Sequence, residues 1–195
     1  MANYPTPGSL RAMPGGGLTL GKLAIAVRRG SFATIVDALW VPGVSALLIL
    51  LVGAIGYQMK QPWLFAGLGP TVLLLASNPE HDTARFHAVV VGHLTALACA
   101  WLVVMLFSAG GTPSLFAATK LPLVRVYASA CAIALMAVVQ PALRAYHPPA
   151  AATALLVTLG AYNMKGKVPL GLMGGVLAVA VVGVGLQQLR RRRGR

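Results

Sequence analysis

Residues 144–156 read Arg144-Ala145-Tyr146-His147-Pro148-Pro149-Ala150-Ala151-Ala152-Thr153-Ala154-Leu155-Leu156, a titratable side chain and two prolines inside otherwise apolar sequence. Proline lacks an N–H, clashes with the preceding turn, and pushes the residue before it out of the α region, so no helix runs smoothly through His147-Pro148-Pro149. A helix starts there instead: proline is preorganised for the first helical positions, and Ala150 to Leu156 is good helix-forming material. A helix that begins inside a bilayer turns its free N–H groups and the positive end of its dipole toward whatever lies in front. The N–H groups of Ala150, Ala151 and Ala152, beside the His147 imidazole, are therefore expected to attract an anion.

The rest of the chain supplies that bilayer. It is 57% hydrophobic and 10% charged over 195 residues, with apolar runs of 16 to 22 residues, which excludes an ordinary soluble domain and predicts an all-α, polytopic transmembrane bundle. The formal charge of +13 sits at the ends rather than on a nucleic-acid-binding face. Arg11, Lys22, Arg28 and Arg29 precede the first span, and Arg190 to Arg193 and Arg195 follow the last, so the positive-inside rule places both termini in the cytoplasm and makes the number of crossings even. The arginine run reads more plainly as a headgroup-touching flank than as a specific lipid or nucleic-acid site. Cys99 and Cys131 are isolated thiols in apolar segments without metal-ligand spacing.

Taken in order, residues 1–38 are expected to form a tail without a signal peptide and then an interfacial segment, with an amphipathic helix over Leu18 to Leu39. A single transmembrane domain follows over 39–189, and 190–195 is a basic cytoplasmic tail. Spans are expected at about Trp40 to Tyr57, Phe86 to Phe107, Leu121 to Gln140 and Val168 to Leu189. Between them lie two shorter segments broken by proline and glycine, Pro62 to Ser77 and the His147 stretch. Asn78 to Arg85 holds two of the three acids and reads as a solvent loop rather than a metal or proton site. Arg125, near the start of a span, is expected to snorkel, with buried anion contact as the competing reading. Gly171, Gly174, Gly175, Gly183 and Gly185 give the last span small-residue faces for close packing within or between subunits, a route to a homo-oligomer.

The chain also repeats. A shift of 79 residues lays Gln61-Pro62 on Gln140-Pro141, Pro70 on Pro149 and Gly92 on Gly171. The unit is long span, broken segment, long span, over about 40–107 and again over about 121–189. Paired broken segments in corresponding halves are the best pointer in a sequence to a transporter's binding site. Six crossings make the halves inverted; four make them parallel. The 16- and 17-residue short segments, at the lower edge of spanning length, favour six.

His147-Pro148-Pro149-Ala150, Phe65-Ala66-Gly67-Leu68-Gly69-Pro70, Asn78-Pro79 and Val91-Gly92-His93 together resemble the HPP family of small integral membrane proteins over roughly residues 35 to 188. Plant members of that family are linked to nitrite transport across the chloroplast envelope. The family often continues its tripeptide with Ala-Gly-Ala, and the extra methyl of Ala151 here narrows any close backbone approach.

Together these readings give a transporter or channel for a small monovalent anion, with nitrite the substrate the resemblance implies. The expected site is His147, Pro148, Pro149, Ala150 and Ala151 with Gly69, Pro70 and Thr71, and with Arg144, Arg125 and His93 as accessory residues. His147 acts either as a neutral hydrogen-bond donor or as a proton carrier; His93 reads first as an interhelical bond. The competing reading is a non-transporting scaffold or partner subunit in which the prolines only kink a packed helix. An enzyme is not expected, because no span carries a carboxylate and no nucleophile set, ligand cluster or phosphate loop is present. No cofactor, metal or nucleic acid is expected, and a cation pathway lacks its usual intramembrane acids. The expected partners are a small inorganic anion and membrane lipids, and the expected location is the cell inner membrane.

Overall fold

The computed structural model describes residues 32–118, 120–162 and 166–193. Among these, every regular element is helical: α1 (Phe32–Gln58), α2 (Leu68–Ser77), α3 (Phe86–Leu106), α4 (Leu123–Ala142), α5 (Ala151–Thr158) and α6 (Val168–Arg193), with 3₁₀ turns at Asp82–Ala84, Ala109–Gly111 and Pro148–Ala150. The tail and most of the interfacial segment expected over 1–38, together with Arg195, lie outside the described residues. Residues 40–195 form one compact unit; of the unit that precedes it, the described part is the opening of α1.

Among the described residues, four stretches are long and apolar enough to cross a membrane: Leu39–Gln58, Phe86–Leu106, Leu123–Ala142 and Val168–Leu186. The protein is a multi-pass, all-helical membrane bundle, and helix boundaries depart from those expected by only a few residues at α3 and α4. The last helix continues through Arg193 rather than ending near Leu189.

The two short segments are each part extended chain and part helix. In the first, Trp63 folds back against Gly56 of α1; Pro62 then packs on Gly171, Trp63 on Gly174 and Gly175, and Leu75 on Gly183. Residues 62–75 therefore run alongside α6 in the same direction. In the second, His87 meets the Leu143 carbonyl, His147 lies against Gly92, and the Leu159 carbonyl accepts from Leu115 N–H beyond the far end of α3. Residues 143–159 thus run the length of α3, in its direction. The first short segment thus lies along a long helix of the second half, and the second short segment along a long helix of the first.

Sequence explains why each short helix starts late. Pro70 is the third residue of α2, where a helix needs no N–H from it, and Gly67 caps the start. Pro148 and Pro149 form a 3₁₀ turn that feeds α5. The long helices α1 and α4 instead end on residues in the left-handed region, Lys60 (φ 51) and Arg144 (φ 52). In both, the next N–H reaches back into the last turn, Gln61 to Gly56 O and Ala145 to Gln140 O, satisfying carbonyls the helix end leaves free.

Helix α3 is the centre of the unit. One apolar cluster joins Leu48, Val52, Phe65, Leu68, Val72 and Leu75 to Val89, Leu97, Leu172, Val176 and Val179. A second, built mostly of alanines, joins Ala96, Ala100 and Val103 to Ala128, Ala132, Met136, Ala154 and Val157. Small side chains in the second cluster let α3, α4 and α5 approach closely, the usual basis of helix association in lipid. The glycines of α6 are used in the same way inside the chain, against Pro62, Trp63 and Leu75, while Gly185 faces open space.

Candidate functional site

The polar centre forms where the first turn of α2 meets the residues leading into α5. His93 lies seven residues into α3, about 10 Å along its axis. Its ring makes two bonds: Nε2 is 3.0 Å from Thr71 Oγ1 and Nδ1 is 2.8 Å from Thr153 Oγ1. Thr71 Oγ1 lies a further 3.1 Å from His147 Nε2, and His147 Nδ1 is 2.7 Å from the Thr83 carbonyl. The imidazole centroids are 5.1 Å apart, and Phe65 stands edge-on to His93. Both histidines and Thr71 are fully buried, and Thr153 nearly so.

Two glycines make room for this cluster. A Cβ on Gly92 would lie 2.6 Å from His147 Cβ, so Val91-Gly92-His93 brings one histidine onto the helix that carries the other. A Cβ on Gly67 would run into Thr153 Oγ1 and the Phe65 ring. Gln140, in the last turn of α4, stitches the second segment in place: its amide donates to Gly92 O at 2.9 Å and its carbonyl accepts from His147 N–H at 3.1 Å.

The partners fix the protons. A carbonyl only accepts, so His147 carries a proton on Nδ1 for Thr83. With His147 neutral, its Nε2 accepts from the Thr71 hydroxyl; Thr71 then accepts from His93 Nε2–H, and His93 Nδ1 accepts from Thr153. The result is a chain of bonds with one polarity, from Thr153 through His93, Thr71 and His147 to the Thr83 carbonyl. A second arrangement exists without moving a heavy atom. The Thr71 hydroxyl is also 3.1 Å from Gly67 O; if it donates there, both imidazoles donate to Thr71 and His147 holds two protons. This arrangement keeps the bonds between Thr71 and both histidines.

Of the residues expected at the site, His147, Thr71 and His93 are brought together. His93 makes the interhelical bonds read from the sequence and is also part of the centre. Pro148 is exposed and Pro149 half-buried, both shaping the 3₁₀ turn. Two of the three amides expected to face an anion are engaged locally: Ala150 N–H bonds to His147 O at 3.0 Å, and Ala151 N–H caps the turn on Pro148 O. Ala151 itself is half-buried. Pro70 is exposed, and a side chain on Gly69 would meet nothing within 4 Å, so both face away from the cluster. Arg144 is exposed and ends α4; Arg125 lies at the other end of the bundle and is buried, not snorkelling. Thr153, Thr83 and Gln140 are the members without an assigned role in the sequence reading. A glutamine late in a span is the one overt signal among them, since buried amides in membrane helices commonly bond across helices.

No curated protein and no solved structure matches the chain. The transmembrane region that defines the HPP family matches residues 31–195, which takes in both histidines, both broken segments and all six helices from Phe32 onward. With that match over most of its length, the chain belongs to the HPP family of transmembrane proteins.

Proposed function

We propose that this membrane protein is a transporter or channel for a small monovalent anion, with nitrite as its substrate, and that the anion passes at the Thr71–His93–His147 cluster. The observation that carries the reading is the placement of two imidazoles and a hydroxyl, fully buried, where two broken helices of opposed halves meet. Ionisable side chains inside a membrane domain are costly and ordinarily serve a pathway. The Gly67 carbonyl lets the cluster hold one proton, and an imidazolium there would supply the counter-charge an anion needs. The protein is proposed to sit in the cell inner membrane with both termini cytoplasmic, following its terminal arginines.

One observation favours a second reading. Every side-chain nitrogen and oxygen of the cluster has a protein partner, as a scaffold's polar clamp would. For transport, the short segments must separate so that an anion replaces one of these bonds.

Nitrite flux into proteoliposomes distinguishes the readings, measured for wild type and His147→Ala with chloride and nitrate as competitors and with an imposed pH gradient. Saturable flux lost in the variant supports an anion path at the cluster, and dependence on the gradient supports coupling to the His147 proton. Folded wild-type protein that moves none of these anions leaves the scaffold reading standing.

A further inference from the structure

At the opposite end of α3 from the acidic α2–α3 connection lies a second built site. A pocket of about 680 Å³ opens between the end of α3, the α3–α4 connection and the C-terminal end of α5. Its lining includes apolar side chains, Trp101, Val104 and Met105, and polar ones, Ser108, Thr112 and Tyr162. Trp101 and Met105 are among the large apolar residues that are exposed.

Arg125 also lines this pocket, although only 4% of it is exposed. Its guanidinium ties three backbone segments together, donating from Nε to Pro113 O at 2.7 Å, from Nη2 to Thr112 O at 2.6 Å and from Nη1 to Thr158 O at 2.7 Å. Gly160, at φ +80, lies so close that a Cβ there would be 2.6 Å from the guanidinium carbon. Two connections are thus shaped around one cation. A guanidinium has five N–H donors, and three carbonyls use three of them. Carbonyls solvate the charge without neutralising it, and the ion pair of Arg85 with Asp82 lies elsewhere. Glu80 and Asp82 both precede α3, at its other end. A buried cation with two N–H groups that no described residue accepts, beside a pocket with apolar side chains in its lining, is matched by an anion that carries a hydrocarbon chain.

We propose that this pocket binds a membrane phospholipid, its phosphate held by Arg125 and the pocket hydroxyls and an acyl chain laid along Trp101 and Met105. The proposal is independent of what the histidine cluster transports. A phosphate suits the remaining donors because a guanidinium engages its oxygens by parallel charge-assisted hydrogen bonds.

The test uses the full chain, purified in detergent and delipidated, and measures bound lipid by native mass spectrometry and thermal midpoint on adding phosphatidylglycerol. Diacylglycerol of the same chains and inorganic phosphate are the comparison ligands. Arg125→Gln removes the charge. Gly111→Phe adds a bulky ring at the pocket lining while leaving Arg125 itself in place, at a position where a Cβ meets nothing within 4 Å; it decides the matter should Arg125→Gln fail to fold. Phosphatidylglycerol is expected to bind wild type and raise its midpoint, with apparent affinity at least tenfold weaker in either variant. Equal binding to wild type and Gly111→Phe would overturn the proposal, as would diacylglycerol binding as tightly as the phospholipid. Inorganic phosphate reproducing the full shift would make this a free-anion site and also overturn it.

Discussion

The 79-residue repeat pairs each position of one half with a position of the other, and the pairs at the centre differ in chemistry. His147 corresponds to Leu68 (68 + 79 = 147) and His93 to Leu172 (93 + 79 = 172), and all four are fully buried. Backbone packing is shared: Gln61 lies against Gly171 as Gln140 lies against Gly92. Leu68 and Leu172 belong to one apolar cluster, whereas the histidines are bridged by Thr71. One fold element has therefore been used twice, once as plain packing and once with polar groups that cost free energy to bury unless every bond is made. That asymmetry places the chemistry where the second short segment meets α3 and leaves the contact of the first short segment with α6 as an internal reference.

Converting the polar contact to its apolar counterpart is the strongest way to break the comparison. His147→Leu writes the residue of the first half into the second, leaving Thr83 O and Thr71 without their ring partner. Nitrite flux in proteoliposomes is expected to fall by at least tenfold, about 1.4 kcal/mol or more on the activation barrier, while Leu68→Ala, matched for burial but not for chemistry, lowers the thermal midpoint and spares flux per folded molecule. Equal flux in His147→Leu and wild type would remove the histidine from the pathway.

The two glutamines give the next contrast. Gln140→Leu strands a buried carbonyl at Gly92 and a buried N–H at His147, at about 1–3 kcal/mol for each unsatisfied group. Gln61 is only half-buried, and Gln61→Leu is expected to change stability by less than about 0.5 kcal/mol. Thermal midpoints of the two variants in detergent measure the difference; equal shifts would mean that Gln140's bonds do not hold the segment.

Paired glycines sharpen it further. On Gly92 the added methyl of alanine meets His147 Cβ at 2.6 Å and the Ala145 carbonyl at 3.2 Å, neither free to swing aside. On Gly171 it meets Pro62 Cδ at 2.9 Å and the end of the Gln61 side chain at 3.0 Å, which can move. Gly92→Ala is expected to cost about 1–3 kcal/mol as an overpacked core substitution, and Gly171→Ala less. The reverse order in chemical denaturation would show that the histidine segment is the looser of the two.

Much of this was legible in the residues themselves. Long apolar runs gave the spans, and proline marked the starts of both short helices, because both signals are local and strong. The repeat pointed to paired broken segments, and its glycine pair marks close packing in each half. Sequence could not show that the amides of Ala150 and Ala151 would be consumed by a 3₁₀ turn, since that depends on backbone angles proline permits but does not dictate. Nor could it show Arg125 buried rather than snorkelling, because its partners are carbonyls from residues 112, 113 and 158, and a carbonyl leaves no signature in side-chain identity. Thr153 was hidden for a related reason: a threonine in an apolar helix usually bonds its own backbone, as Thr95 and Thr158 do.

Thr153 supplies the smallest and most specific prediction. Its counterpart in the first half is Leu74 (153 − 79 = 74), a partly buried residue packed on the apolar cluster, so Thr153→Val again moves the polar contact toward the apolar one. The proton polarity set by the Thr83 carbonyl requires the Thr153 hydroxyl to donate to His93 Nδ1 when the cluster is neutral. Valine keeps the shape and removes the donor, which is expected to cost about 1 kcal/mol and to lower flux less than His147→Leu. Thr153→Ser retains the hydroxyl and should recover most of the lost flux despite losing a methyl group. If valine restores as much as serine, the bond to His93 is not made through Thr153, and the ordered chain from α5 to the Thr83 carbonyl would begin at His93 instead.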